Sequence, residues 1–242
     1  MARRDPDLAV LEGFHPLKHG LRFGAEIELA VSPDPARLQR LAARLAPDIA
    51  TRFDELVEPI SAARFATLCE RPPYEPLAAV ARRPRFDLTA ALAALGPLVV
   101  LERPRDPGNS GAAIRVAAAA GAAALLSVDA PDPWSAAALR GSAGLHFALP
   151  VAGLDSLPDT VAERGTLVAL DPGSEENLGE RPLPPNPTLL FGNERDGVSA
   201  SLLERADRRL RIPMRAGVSS LNLATSVAAV LYSYSSVAPT RR

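Results

Sequence analysis

GPLVVLERPRDPGNSGAAIRVAAAAGAAALLSVD, residues 96–129, decides the fold. PLVVLE (97–102) is a short continuous apolar run, and ALLSVD (124–129) is another. Between them SGAAIRVAAAAGA (110–122) reads as a helix. Apolar strands without polar alternation are buried on both faces, and a helix between two of them argues for a mostly parallel sheet covered by helices. The turn RDPGN follows the first strand and opens the helix. Gly108 and Gly111 allow a tight turn there, and the helix N-terminus is suited to an anion. The spacing is neither GxGxxG nor a Walker loop.

The alternation continues toward the C-terminus. HFALPV (146–151), TLVALD (166–171), TLLFG (188–192) and RLRIPM (209–214) read as strands. Helices are expected around Trp134–Leu139, Leu157–Glu163 and Leu202–Ala206, with a terminal helix over 220–236. In sheets of this kind ligands sit beyond the carboxyl ends of the strands, which singles out the loops at 103–109, 192–198 and 214–222.

Toward the N-terminus the pattern differs. Residues 1–20 read as an arm leading into a first helix, with Leu8, Val10, Leu11, Phe14 and Leu17 as its apolar set. GAEIELAVS (24–32) alternates as a strand, and ARLQRLAARLA (36–46) puts Leu38, Leu41 and Leu45 on one helical face. These make a small α/β unit of a plausible domain size. The boundary is expected between residues 84 and 96, giving domains 1–90 and 91–242.

Composition bounds the function. The 242 residues are 47% hydrophobic but only 5% aromatic, so alanine and leucine carry the burial. Cys69 is the lone cysteine, which excludes an internal disulfide. With only His15, His19 and His146 beside it, no Cys/His metal site is expected. No apolar run reaches the roughly 18 residues of a membrane span and no secretory signal opens the chain, so a cytoplasmic protein without membrane contact is expected. A net charge of −1 gives no global pull toward nucleic acid. Any basic surface is local, and Arg82-Arg83-Pro84-Arg85 and Arg205 through Arg211 are the arginine-rich runs.

Three constellations stand out. Arg115 lies inside an otherwise Ala/Val helix, where a guanidinium is either snorkelling or paired, or functional. FGNERDGVS (191–199) packs four polar residues between two glycines, and is either a plain strand–helix turn with Ser199 as cap or a binding loop. IPMRAGVSSLNLATSVA (212–228) puts Ser219, Ser220 and Asn222 ahead of an apolar run, as an N-cap or as the wall of a ligand site.

In this order the three resemble one family closely. RDPGNSGAAIR, LLFGNERDGVS and IPMRAGVSSLNLATSVA look like the three motifs of SpoU (TrmH-like) RNA ribose methyltransferases of the SPOUT superfamily, and ALRGSAGLHFALPV (138–151) looks like the family's Arg-x-Ser-x-Gly segment. The resemblance covers roughly residues 97–235. EGFHPLKHGLRFGAEIELAVS is similar to the L30e-like RNA-binding domain often fused ahead. The implied fold is α/β, with a mostly parallel C-terminal sheet carrying a trefoil knot after a small L30e-like domain. The implied function is methyl transfer from S-adenosyl-L-methionine to a ribose 2′-hydroxyl of structured tRNA or rRNA, by an obligate homodimer with a composite active site and no metal.

Carried over residue by residue, the resemblance makes Asn109, Arg115, Glu194, Ser220 and Asn222 catalytic. It makes Leu170, Gly192, Asn193, Gly197, Ile212, Met214, Ser220 and Leu221 the cofactor-binding set. Arg115 would clamp the target phosphate bidentately, since a guanidinium cannot serve as a base. Asn109 would orient Arg115 or the ribose, and Glu194 would fix the loop or an arginine. Ala216 stands where the family usually has glycine, with Gly217 one position later. Two rivals are an RNA-binding protein that kept the fold without catalysis and a nucleotide-dependent oxidoreductase. Intact Asn109, Arg115 and Glu194 argue against the first, and the missing GxGxxG turn argues against the second.

Overall fold

The computed structural model describes residues 5–68 and 72–235. Cys69 lies outside them. The chain divides into two compact units: residues up to Arg85 together with Trp134–Ala148, and residues 86–133 together with 149 onward.

The first unit is built on a four-stranded sheet in the order β1-β4-β2-β3, with β1 Leu8–Glu12, β2 Ile27–Ser32, β3 Val57–Pro59 and β4 Ala78–Arg82. β4 runs antiparallel to both β1 and β2, while β2 and β3 are parallel. The apolar set of residues 8–11 therefore belongs to a strand before the first helix, not to that helix. Its partner lies some seventy residues on, pairing Val10 with Val80. Helix α1 (Phe14–Arg22) follows directly and buries Phe14, Leu17 and Leu21. Phe14 stacks on Phe53 of α3 (Ala50–Leu56), ring centroids 5.1 Å apart. Helix α2 (Pro35–Leu45) starts where Asp34 accepts from the Arg37 backbone N–H at 2.9 Å with Pro35 in the first turn, as helix N-termini favour. A short α4 (Ala62–Ala66) is capped by Ser61.

Residues 134–148 join this unit through α7 (Ala136–Gly141). Arg140 of α7 pairs with the buried carboxylate of Glu12 at the end of β1. His146 is buried against Trp134, its Nδ1 2.7 Å from the Ser142 hydroxyl. The expected strand over 146–151 is absent. Leu145–Ala148 form a single 3-10 turn instead. Gly144 enters it with φ of +78°, and a Cβ there would lie 2.5 Å from the Pro16 carbonyl oxygen. Pro150 lacks the N–H a sheet ladder needs, and the strand begins only at Val151.

The second unit holds a six-stranded, all-parallel sheet in the order β10-β8-β9-β5-β6-β7. Its strands are β5 Leu98–Glu102, β6 Ala124–Val128, β7 Val151–Leu154, β8 Leu167–Leu170, β9 Thr188–Phe191 and β10 Arg208–Leu210. Every residue of β5 and β6 is buried, as expected of strands covered on both faces. Leu98, Val100, Leu126, Leu167, Ala169 and Leu190 face a layer formed by α5 (Leu88–Ala93), α8 (Asp159–Ala162) and α9 (Ala200–Arg205). On the other side α6 (Pro107–Ala119) packs against α10 (Leu223–Ser235). Arg164 closes one end of this unit: its guanidinium donates to the carbonyls of Leu92, Ala94, Gly96 and Asn186.

Helix α6 starts at Pro107, three residues earlier than the alanine run suggests. Asp106 caps it, its Oδ1 accepting from the Asn109 backbone N–H at 2.8 Å. Helix α10 is capped by Asn222 and not by the serines before it. Asn222 Oδ1 accepts from the N–H groups of Ala224 at 2.9 Å and Thr225 at 3.4 Å.

Candidate active site

Three loops leave the carboxyl ends of adjacent strands in the second unit and meet beyond the sheet. The first, Gly192–Val198 after β9, is folded back on itself. Asn193 and Gly197 exchange backbone hydrogen bonds of 3.2 and 3.1 Å, and Asn193 Oδ1 accepts from the N–H groups of Arg195 and Asp196 at 2.8 and 2.7 Å. The backbone at Gly192 presses so closely on Gly197 that a Cβ would lie 1.9 Å from the Gly197 carbonyl carbon. Gly197 itself has φ of +69°, a left-handed conformation that glycine adopts freely. The loop's far end is anchored at Ser199, whose N–H donates at 2.8 Å to the buried carboxylate of Glu102 on β5.

The second loop, 211–222, follows β10. Its left-handed residue is Gly217, at φ +86°, and Ala216 has no such conformation. An alanine is therefore tolerated at 216, because the turn that requires glycine falls one residue later. The third element is the 171–187 connection after β8. Asp171 Oδ1 accepts from the Gly173 N–H at 2.9 Å, while Arg211 donates its N–H to the Glu176 carbonyl at 2.9 Å and accepts from the Leu178 N–H at 2.8 Å. Glu176 is bound by the guanidinium groups of Arg181 and Arg208, and these hydrogen bonds hold its carboxyl at about 2 instead of the ordinary 4.5.

The loops enclose a cleft of about 660 Å³, its open mouth included. Leu170, Gly192, Asn193, Gly197, Ile212, Met214, Ser220 and Leu221 all line it, as does Glu194. Asp171, Pro172, Phe191 and Ser226 also line it without having stood out in the sequence, and so does Arg211, which the sequence offered only as part of a basic run. The strand-end rule points to the positions directly after β8 and β10, where Asp171 and Arg211 sit. Phe191 and Ser226 carry no comparable signal.

A chain of side-chain amides and carboxylates runs beside this cleft. Asn222 Nδ2 donates to Asn109 Oδ1 at 2.9 Å, and Asn109 Nδ2 donates to Glu194 Oε1 at 3.0 Å. Glu194 Oε2 also lies 3.4 Å from the Arg105 backbone N–H, and the Arg105 guanidinium meets Asp196 at 3.1 Å. The turn before α6, the loop after β9 and the cap of α10 are thereby tied together. Asn109, Glu194, Ser220 and Asn222 are thus assembled within one unit. Arg115 is not brought to this cleft: it is exposed on α6 and makes no hydrogen bond or ion pair with any described residue.

The profile of the SpoU rRNA Methylase family matches residues 96–232, more than half of the chain. The chain belongs to the SpoU rRNA methylase family. Among curated relatives it is 39% identical over 139 residues to an uncharacterized tRNA/rRNA methyltransferase of Synechocystis, covering 55% of this chain and 51% of that one. It is 35% identical over 147 residues to the 23S rRNA (guanosine(2553)-2′-O)-methyltransferase RlmP of Bacillus subtilis, covering 58% of each chain. The chain thus spans a little over half the length of these relatives. In structure it is similar to the SpoU methyltransferase AviRb of Streptomyces viridochromogenes in complex with AdoMet, with a TM-score of 0.76 at 26% identity over 94% of this chain and 89% of that one. The SpoU match spans the six-stranded sheet and all three loops of the cleft. Among the described residues no helix is long and apolar enough to cross a membrane, and no group of three or more His, Cys, Asp or Glu is placed to hold a metal.

Proposed function

We propose that the protein transfers a methyl group from S-adenosyl-L-methionine to a ribose 2′-hydroxyl of transfer or ribosomal RNA. The observation that carries the reading is the cleft itself: Leu170, Phe191, Ile212 and Leu221 offer apolar walls, and the backbone of the 192–198 loop is free of side-chain bulk at Gly192. These walls suit an adenine ring, and the Glu194 and Asp171 carboxylates suit a molecule that carries a positive sulfonium and an ammonium. AviRb, whose complex contains AdoMet, supports the same assignment.

When bound, the cofactor supplies an electrophilic methyl on sulfur and leaves as a neutral thioether, so the reaction needs no metal. The chain's task is to hold a weak nucleophile in line with that methyl while it loses its proton. Asn109, fixed between Asn222 and Glu194, presents its amide beside the cleft and positions the ribose or the clamping arginine. Arg115 would hold the adjacent phosphate through its planar fork. Arg115 stands exposed and without a partner among the described residues, so its cleft is best supplied by a second copy of the chain, and the reading includes a homodimer with composite sites. It also includes a trefoil-knotted path in the C-terminal sheet, an L30e-like first unit that engages RNA, and a cytoplasmic setting.

The test is to incubate the protein with methyl-labelled S-adenosylmethionine and total RNA, then map ribose methylation by resistance to alkaline cleavage. A discrete protected position in tRNA or rRNA is expected. Label appearing only on bases would overturn ribose transfer, and no label on any RNA would overturn the activity.

A further inference from the structure

The arginine-rich runs of the sequence are largely consumed by internal bonds. Arg82 pairs with Glu26 and Glu28, Arg83 donates to the Leu8 carbonyl, Arg205 pairs with Asp159, Arg208 with Glu176, Arg209 with the Leu203 carbonyl and Arg211 with Asn177. Three guanidinium groups of the first unit lie together on one helix away from these runs. Arg37, Arg40 and Arg44 follow one another along a stripe of α2, spaced about 4.5 and 6 Å along the axis by the helical rise. None pairs with a carboxylate among the described residues. Together with Leu41, Tyr74 and Glu75 they line a groove. The Tyr74 side chain stands 83% exposed, with the Arg37 guanidinium 5.1 Å from its ring centroid.

What distinguishes Tyr74 is its company rather than its exposure. Here one face of the ring carries a cation, and a row of three cations runs beside it over the apolar floor of Leu41. Cations along a row neutralise successive phosphates, and a base stacks on an aromatic face whatever its identity. Glu75, the one carboxylate lining the groove among the described residues, can accept from a base amino group or a ribose hydroxyl. A duplex hides its base faces, so this chemistry favours unpaired nucleotides.

We propose that the groove between α2 and Tyr74 is a binding surface for an unpaired segment of the RNA substrate, with one base stacked on Tyr74 and phosphates held by Arg37, Arg40 and Arg44. This rests on the reading of the protein as an RNA methyltransferase, and it places a substrate contact in the unit that does not contain the cofactor cleft.

The probes are fluorescein-labelled oligouridylate, the same strand annealed to its complement, and poly-glutamate. They are titrated into the full chain and into Tyr74→Ala, Tyr74→Phe and Arg40→Gln/Arg44→Gln. Unchanged melting temperatures and cofactor affinity show that the variants are folded. Tyr74→Ala is expected to weaken oligouridylate binding about tenfold or more, as loss of one stacked base does, while Tyr74→Phe retains it. The double arginine variant should lower the slope of log affinity against log salt by about 1.4, two single-strand phosphate contacts. Equal affinity for duplex, preference for poly-glutamate, or unchanged oligouridylate binding by Tyr74→Ala would each overturn the assignment. Methylation of total RNA, run in parallel on the unmodified protein, reports on the activity separately, so a failure of that reading is distinguishable from a failure of this surface.

Discussion

Asn222 donates through Nδ2 to Oδ1 of Asn109 at 2.9 Å, joining residues 113 positions apart in the chain. The same Asn222 accepts the first free N–H groups of α10 through its Oδ1. One side chain therefore starts the terminal helix and ties that start to the turn before α6. Asn109 passes the link on to Glu194, so side-chain hydrogen bonds join the start of α6, the loop after β9 and the start of α10.

The two jobs of Asn222 separate under substitution. Asn222→Asp keeps the oxygen that caps α10 and places a negative charge at a helix N-terminus, which favours the helix. It removes the donor to Asn109. Folding stability is expected to stay within about 1 kcal/mol, while methyl transfer falls by roughly two orders of magnitude, as when an aligned polar contact is lost from an active site. Asn222→Ala loses both jobs and should also cost about 1 kcal/mol of stability. Thermal melts and single-turnover rates measure the two effects, and an Asn222→Asp variant of normal rate would mean that the link has no part in catalysis.

Gly192 and Gly197 make a second contrast. At Gly192 an added methyl meets backbone at 1.9 Å, where nothing flexible can yield. Gly192→Ala should prise the loop open, costing about 1–3 kcal/mol as overpacked interiors do, and lowering cofactor affinity at least tenfold. At Gly197 nothing lies within 4 Å, and only the positive φ resists a side chain. Gly197→Ala should cost about 1 kcal/mol with a smaller loss of binding. Calorimetric titration with S-adenosylmethionine ranks the pair, and the reverse ranking would contradict the crossing of the two backbones.

Much of this was legible in the sequence, and the reason is locality. The β5–α6–β6 unit announces itself by two continuous apolar runs around an alanine helix, and the rule that ligands gather at strand ends picks out the loops of the cleft. What stayed hidden depends on partners far along the chain. Residues 8–12 look like part of a helical arm because their sheet partner, β4, begins at Ala78. The segment around Arg140 looks like part of the second unit until the buried Glu12 is seen to need a cation. Ser219 and Ser220 are as good caps on paper as Asn222, and only the position of Asn109 distinguishes them.

The connection after β8 should respond to acid in a defined window. Glu176 titrates at about 2 in the folded chain because Arg181 and Arg208 bind its carboxylate, against an ordinary value of 4.5. A depressed carboxyl stabilises the fold fully above 4.5, and its contribution fades as pH falls from there toward about 2. Neutral and alkaline conditions leave it unchanged. A carboxyl-detected NMR titration should find the Glu176 midpoint well below 4.5, and Glu176→Gln should remove this part of the acid dependence of stability. A midpoint near 4.5 would show that the two arginines do not hold the loop in solution.

Arg115 remains the sharpest point of division between a clamp and a surface cation. It is exposed, and no described residue pairs with it. Arg115→Lys keeps the charge and discards the planar fork that binds a phosphate bidentately. If it clamps the substrate, folding and cofactor affinity should stay within about 1 kcal/mol, as for most exposed substitutions, while transfer falls by roughly two orders of magnitude. Mixing experiments then ask whose cleft it serves. In a mixed dimer of Arg115→Lys and Glu194→Gln chains, a clamp acting across the interface leaves one cleft with both residues intact and the other with neither. Equal mixing should therefore restore about one quarter of the unmodified rate, since half the dimers are mixed and each has one working site. A clamp acting within its own chain leaves one defect in every cleft and restores nothing. Near-normal turnover by Arg115→Lys alone would remove the residue from the mechanism altogether.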